Sequence, residues 1–234
     1  MTAPGAPSAP QQWTSASLLT WMGEAFTKAD IDSPRLIAEM LLAHTLGCDR
    51  LGLYTHADRP AAPEEREKLR ALVSRALRHE PVQYLVGEAW FYGAPFTADR
   101  RALIPRPSTG TIIDAAIAWA KGRDPAAPIR IADIGTGTGC LAITLLKRLP
   151  KATAIATDIS PDALALAAIN ADRHKVATRI EFRRGDLAGP LTPDAPFDVV
   201  VSNPPYIPDH EWPTVAPNVK DHEPESALRA GPDG

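Results

Sequence analysis

From residue 129 onward the sequence alternates short apolar runs with helical stretches: "IRIADIG", "CLAITLLKRL", "ATAIATDIS", "PDALALAAINADRH", "RIEFRRGDL" and "FDVVVSN". The order strand, helix, strand, helix, strand, strand predicts a parallel sheet with helices on its faces, because parallel neighbours need crossover connections. Ligands of such open α/β sheets bind outside the carboxyl ends of the strands. The polar residues that close the apolar runs are therefore the first place to look for chemistry.

The earlier part of the chain has a different period. Leu18, Leu19, Met22 and Phe26, then Leu36, Ile37, Met40, Leu41 and His44, then Leu69, Leu72, Val73 and Leu77 recur at helical spacing and predict three or four short helices. Ser33 before Pro34 reads as an N-cap with proline at the first helical position, and Pro63 opens a second acidic start, "EERE". Between 80 and 106 the character changes to "EPVQYLVGEAWFYGAPFTADRRALIPR", aromatic and punctuated by Gly87, Gly93 and Pro95, which predicts a strand pair. The expected organisation is a disordered Ala/Pro tail over 1–12, a small helical bundle over 13–79, a connector with a β-hairpin over 80–106, and the α/β domain over 107–234.

Bulk properties narrow the class. With 44% hydrophobic and 23% charged residues among 234, the chain can bury a core. A net charge of −3 provides no global basic field, so direct nucleic acid binding is not expected. The two cysteines, Cys48 and Cys140, stand far apart and fit a reducing compartment. No apolar run approaches the ~20 residues of a membrane span, and the reading is a cytoplasmic protein with no membrane partner. The histidines show no metal-ligand spacing, so no metal is expected.

"ADIGTGTGCLAITLL" places Gly135, Gly137 and Gly139 between a strand and a helix. Glycines there allow positive φ and a close backbone approach, beside the free N–H groups of a helix start. A dinucleotide fingerprint needs a third glycine further along, where this chain has Cys140, and no G-K-[ST] follows for a triphosphate. What remains is a nucleoside carrying an amino-acid tail, and S-adenosylmethionine is the economical reading. Asp158 closes the next strand, where a carboxylate can accept from ribose hydroxyls; Asp186 closes the third, where one can accept from an adenine amine. Asp133 either orders the loop or meets the ammonium end of the ligand. Cys140, at the helix start, reads as a small packing residue, although that position can also lower a thiol pKa.

The fourth strand delivers Asn203, Pro204, Pro205 and Tyr206 to the same edge. An amide or adenine nitrogen is a poor nucleophile because its lone pair is delocalised, so catalysis on it needs positioning and electrostatics more than a strong base. The Asn203 oxygen and the Pro204 carbonyl can each accept one N–H of the acceptor, which aims the lone pair at the methyl. Proline fixes φ and makes that carbonyl rigid. Tyr206 offers a flat face for a planar group.

The motifs "LIPRPST", "DIGTGTG", "ATDIS", "GDL" and "SNPPYIP", in this order, resemble the bacterial release factor glutamine methyltransferases, the protein-(glutamine-N5) methyltransferases. The likeness covers nearly the whole chain after residue 12. It implies a Rossmann-like class I S-adenosylmethionine-dependent methyltransferase domain behind a helical substrate-recognition domain. It also implies methyl transfer to the glutamine of the Gly-Gly-Gln loop in class 1 peptide chain release factors. Carried over, it assigns Gly135, Thr136, Gly137, Thr138, Gly139, Asp158, Asp186 and Leu187 to the cofactor, and Asn203, Pro204, Pro205 and Tyr206 to the glutamine, with Asn203 expected to touch the cofactor as well. Two departures stand out: Gly110 occupies the position where the family motif has glutamate, and the chain stops at "ESALRAGPDG" where similar proteins continue. Four strands of an expected seven can be placed, so an incomplete domain with the fourth strand as an edge is expected. Arg106 is at most a residue that shapes the entrance. The alternatives are an adenine-N6 nucleic acid methyltransferase, since Asn-Pro-Pro-Tyr solves the same problem for a flipped adenine, and a truncated fragment that only binds a partner.

Overall fold

The computed structural model describes residues 13–124, 127–194 and 196–234, in two compact units that meet in sequence at Val86 and Gly87. The tail expected over 1–12 lies outside the described residues.

The first unit is helical: α1 (Ser15–Lys28), α2 (Pro34–Leu46), α3 (Arg50–Thr55), α4 (Pro63–Ala76) and α5 (Val82–Val86). Its core is built from Met22 and Phe26 of α1, Leu41 and Leu42 of α2, Leu53 of α3, Leu69 and Val73 of α4, and Val82 and Leu85 of α5. Helix α1 starts with a reciprocal cap, in which Ser17 N–H donates to Thr14 Oγ1 and Thr14 N–H donates to Ser17 Oγ. At α4, Pro63 occupies the first turn and Glu65 accepts the Ala62 N–H at 2.8 Å. Ser33 does not cap α2: it sits at φ 53° and its side chain accepts nothing from the helix. The fixed φ of Pro34 sets that start instead.

One polar knot stands on this unit. Glu39 of α2 is 4% exposed. It accepts from Arg35 Nε at 3.1 Å, from Arg50 Nε and Nη2 at 2.9 and 2.5 Å, and from the Tyr54 hydroxyl. It thereby fastens α3 to α2.

The second unit opens with an antiparallel hairpin, β1 (Glu88–Phe91) and β2 (Ala94–Thr97), and helix α6 (Gly110–Lys121). There follow β3 (Ile129–Ile134), α7 (Cys140–Arg148), β4 (Ala152–Asp158), α8 (Pro161–Arg173), β5 (Ile180–Arg184) and β6 (Val199–Ser202). These strands form one parallel sheet in the order β5-β4-β3-β6. The chain steps outward from β3 to β4 to β5, then returns across β3 to lay down β6, so the order reverses between β3 and β6. Such a reversal opens a crevice beyond the strand ends. Its core gathers Phe96, Ile113, Ile131, Ile143, Leu146, Ala156 and Val201. After β6 come β7 (Ile207–Pro208), the short helix α9 (Pro217–Lys220) and β8 (Arg229–Gly231); β7 and β8 pair in parallel, a ladder the sequence pattern did not suggest. Strand β6 borders the sheet, with Val200 59% exposed. Among the described residues no helix is long and apolar enough to cross a membrane.

Replacing Glu39 by alanine is expected to lower the stability of the helical unit by about 1–3 kcal/mol, since it removes several bonds to one buried carboxylate while both arginines remain free to rehydrate. A shift of the urea midpoint to lower concentration checks this; an unchanged midpoint would show that the knot is ornamental.

Candidate active site

The four parallel strands end in register. Ile134 lies beside Thr157 and beside Ser202, and Asp158 beside Arg184. The residues that follow each strand therefore share one edge: Gly135 after β3, Ile159 after β4, Gly185 and Asp186 after β5, and Asn203 after β6. They border a cavity of about 330 Å³, whose wall also includes Thr136, Gly137, Thr138, Asp158, Leu187, Pro204 and Pro205.

The glycine loop is held from below. Asp133 is fully buried and does not reach the cavity wall. Its Oδ2 accepts from Thr136 Oγ1 at 2.7 Å and from the Ala142 N–H at 3.2 Å, and its Oδ1 has no partner among the described residues. Of the two roles open to it, ordering the loop is the one its contacts fit. Burial pushes its carboxyl up to about 6, against the pull of the Thr136 and Ala142 bonds. Gly135 has φ 70° and its missing Cβ would project into open space. At Gly139, φ 80°, a Cβ would come within 2.7 Å of Ile143 Cδ1 and 3.2 Å of Ala167 Cβ, so glycine is needed there for packing.

Asp158, in the wall, accepts the Gly137 N–H on Oδ2 at 2.9 Å and the Ser160 N–H on Oδ1 at 3.0 Å. Each oxygen keeps a second lone pair for a ligand hydroxyl. The Asp186 carboxylate is exposed and bonds to no other described residue, and Leu187 beside it takes the left-handed region at φ 46° and is 68% exposed. An open glycine cradle, a carboxylate with spare lone pairs and a second unspent carboxylate fit a nucleoside with a polar tail.

On the opposite side of the cavity, Ser202 Oγ donates to the Ile134 carbonyl at 2.8 Å and locks the end of β6 to β3. The Asn203 amide and the Pro204 carbonyl are engaged by no described residue, so both acceptors face their surroundings unspent. Tyr206 is 61% exposed and, unlike Asn203, Pro204 and Pro205, does not line the cavity. Gly110 lies against the Tyr92 ring, where a Cβ would stand 3.5 Å from Cδ2, and it does not line the cavity. The Cys140 thiol lies in the core, where burial raises its pKa to about 12, so packing outweighs its place at a helix start.

Sequence reasoning missed Asn170. It is 0% exposed on α8, and its amide makes three bonds: Oδ1 accepts the Thr97 N–H at 2.7 Å, and Nδ2 donates to the Thr97 and Thr138 carbonyls at 3.1 and 3.0 Å. One side chain thus joins the hairpin to the glycine loop. A buried asparagine on an Ala-rich helical face was the available signal.

Comparison with known proteins adds a second line. The model of the PrmC N-terminal domain matches residues 17–87, and that of the methyltransferase small domain matches 123–219. The chain is 47% identical over 223 residues to the release factor glutamine methyltransferase of Chlorobaculum tepidum, covering 93% of this chain and 76% of the relative. Its counterparts from Rhodopirellula baltica and Geobacter sulfurreducens are 42% and 40% identical over 224 and 225 residues, covering 95% and 96% of this chain and 75% and 76% of each relative.

Two outcomes are expected. A carboxyl whose folded pKa lies above its unfolded value holds a proton in the native state that the unfolded chain releases, so its contribution to stability is lost as pH rises from about 4 through about 6. Asp133→Asn removes this term, and its stability relative to the native sequence should rise across that window in urea titrations; a pH-independent difference would contradict the raised pKa. Asn170→Asp should destabilise more than Asn170→Ala, because a carboxylate would oppose two carbonyls, with a loss of about 2–4 kcal/mol for the alanine variant. Equal urea midpoints for the two variants would count against the bonding assigned to Nδ2.

Proposed function

The chain belongs to the release factor glutamine methyltransferase family, and from that premise we propose that it methylates the side-chain N5 of the glutamine in the Gly-Gly-Gln motif of class 1 peptide chain release factors. The observation that carries this reading is that Asn203 and Pro204, whose side-chain amide and carbonyl no described residue engages, line the same cavity as the glycine loop.

When bound, S-adenosylmethionine supplies an electrophilic methyl group on a sulfonium. The chain's own part begins with the loop from Gly135 to Gly139, Thr136 and Thr138 included, which lets the donor lie close to the backbone. Asp158 takes the ribose hydroxyls on its spare lone pairs, Asp186 takes the adenine amine, and Leu187 covers the base. On the acceptor side, Asn203 and Pro204 each receive one N–H of the glutamine amide. With both hydrogens held, the nitrogen lone pair turns out of conjugation and toward the methyl. As the nitrogen–carbon bond forms and the carbon–sulfur bond breaks to leave a neutral thioether, the two oxygens stabilise the positive charge that grows on nitrogen, and one of the two N–H protons is then lost to water. Pro205 keeps the turn stiff, and Tyr206 stacks on the amide plane. The helical unit recognises the release factor, and an acceptor of that kind places the reaction in the cytoplasm.

Adenine amines present the same two hydrogens, so the test pits acceptors against one another: methyl transfer from labelled donor to a release factor, to the same factor with its Gly-Gly-Gln glutamine replaced, and to duplex DNA. Label on the intact factor alone is the expected result, and label on DNA would overturn the reading. Asn203→Ala is expected to lower kcat by about 100-fold while leaving the Kd of S-adenosylhomocysteine within about threefold. Equal losses in both would place Asn203 with the donor rather than the acceptor.

A further inference from the structure

We propose that Glu223 is a positioning residue: through Arg106 and the backbone of Ile104 it anchors a strap, residues 223–228, that holds the Asn203–Tyr206 turn from outside and forms the outer wall of the acceptor slot. The proposal rests on the reading that this turn holds the acceptor amide.

Three stretches far apart in sequence meet here. Glu223 is 5% exposed although it follows an exposed polar stretch. Its Oε1 accepts from Arg106 Nη2 at 2.5 Å and its Oε2 from the Ile104 N–H at 3.0 Å, so both carboxylate oxygens are used on the "IPR" connector. Five residues later, the buried Leu228 turns its carbonyl to the other side and accepts two N–H groups, from Tyr206 at 3.1 Å and from Ile207 at 2.9 Å. Between these anchors, Pro224, Ser226 and Ala227 line the same cavity as Asn203, Pro204 and Pro205. Beyond Leu228 the β7–β8 ladder and the Arg229 to Asp209 contact at 2.6 Å continue the fastening.

The choice of a buried carboxylate is informative. A buried ion pair gains little over an apolar contact in stability, because desolvation offsets the attraction, but it demands one geometry. Arg106 keeps 31% of its side chain exposed while the Glu223 side chain keeps 1%, so the desolvation falls on the strap side, where the position must be defined. The two prolines stiffen the turn along the chain; they do nothing to fix it relative to the donor loop. The strap supplies that second constraint. A displacement of about 1 Å in an aligned reacting pair costs up to about 100-fold in rate, so the effect of losing the anchor should be on turnover.

The test uses the full chain and two readouts, one of them independent of activity. Hydrogen–deuterium exchange followed by mass spectrometry reads the Tyr206 and Ile207 amides in peptides covering 203–208, with a peptide covering 133–143 as the internal control. Glu223→Ala should speed exchange in the first peptide about tenfold or more and leave the control unchanged. Glu223→Gln, which keeps an oxygen for Ile104 and loses the charge, should fall between, and it serves where the alanine variant folds poorly. In methyl transfer, Glu223→Ala should lower kcat at least about tenfold with the Kd of S-adenosylhomocysteine within about twofold, and adding Arg106→Ala should cost little more, since the two residues act as a unit. Unchanged exchange at 203–208 in both Glu223 variants, or full additivity with Arg106→Ala, overturns the proposal. Failure of the native sequence to methylate the release factor glutamine would instead remove the functional reading, while the exchange result still decides whether the strap holds the turn.

Discussion

The pairing of β6 against β3 is the constraint from which the rest of the site follows. Because β4 and β5 were laid down on one side of β3, the chain must come back across it, and the register of Ser202 beside Ile134 sets Asn203 level with Gly135. A shift of one residue in a parallel ladder would turn every side chain of β6 to the other face. Val201 would leave the core, and Asn203 would no longer stand level with Gly135. Burial of Val201 and the Ser202 to Ile134 bond therefore align a pair of groups that are 68 residues apart in sequence.

Rigidity at this edge comes from beneath rather than from the loop itself. Asp133 ties Thr136 and Ala142 together, Thr136 N–H reaches the Thr157 carbonyl at 2.9 Å, and Asn170 holds the Thr138 carbonyl from α8. Each glycine permits a backbone conformation, and each of these bonds selects it. The cost is visible in Asp133, whose burial raises its pKa to about 6 and leaves one oxygen without a partner among the described residues.

The α/β half was legible because each apolar run ended in a residue type with its own conformational or bonding signature: glycine after β3, aspartate at the end of β4, Asn-Pro-Pro after β6. The helical spacing of the first unit was equally plain, since its buried positions recur every three or four residues. Less legible were features that depend on partners distant in sequence. The Ala-rich face around Asn170 marks it as buried but not as the link between hairpin and loop, and nothing local marks Glu223 as buried, since it stands in a stretch whose composition suits an exposed surface. Ser33 shows the opposite error, a residue of the right type in the right place whose backbone, at φ 53°, cannot present its hydroxyl to the helix. The helix α5 was hidden because five residues are too few for a period to declare itself.

How firmly the Asn203–Tyr206 turn is held depends on what lies around a four-residue strand that borders its sheet. Among the described residues strand β6 is paired by β3 alone, so this ladder restrains the turn from one direction. The amide acceptor proposed for this site places the opposite demand: its nitrogen must be forced out of conjugation, which requires the two oxygens proposed to receive it to stay in place as force is applied through them. A proline pair keeps the distance between those oxygens constant and lets the pair swing as a body. The Leu228 carbonyl, receiving both Tyr206 and Ile207, acts at the far end of the turn, while Ser202 acts at the near end. Restraint at both ends converts a stiff turn into a fixed one, and it is fixed relative to the glycine loop because each anchor leads back, through Ile134 or through Ile104, to the wall of the same cavity.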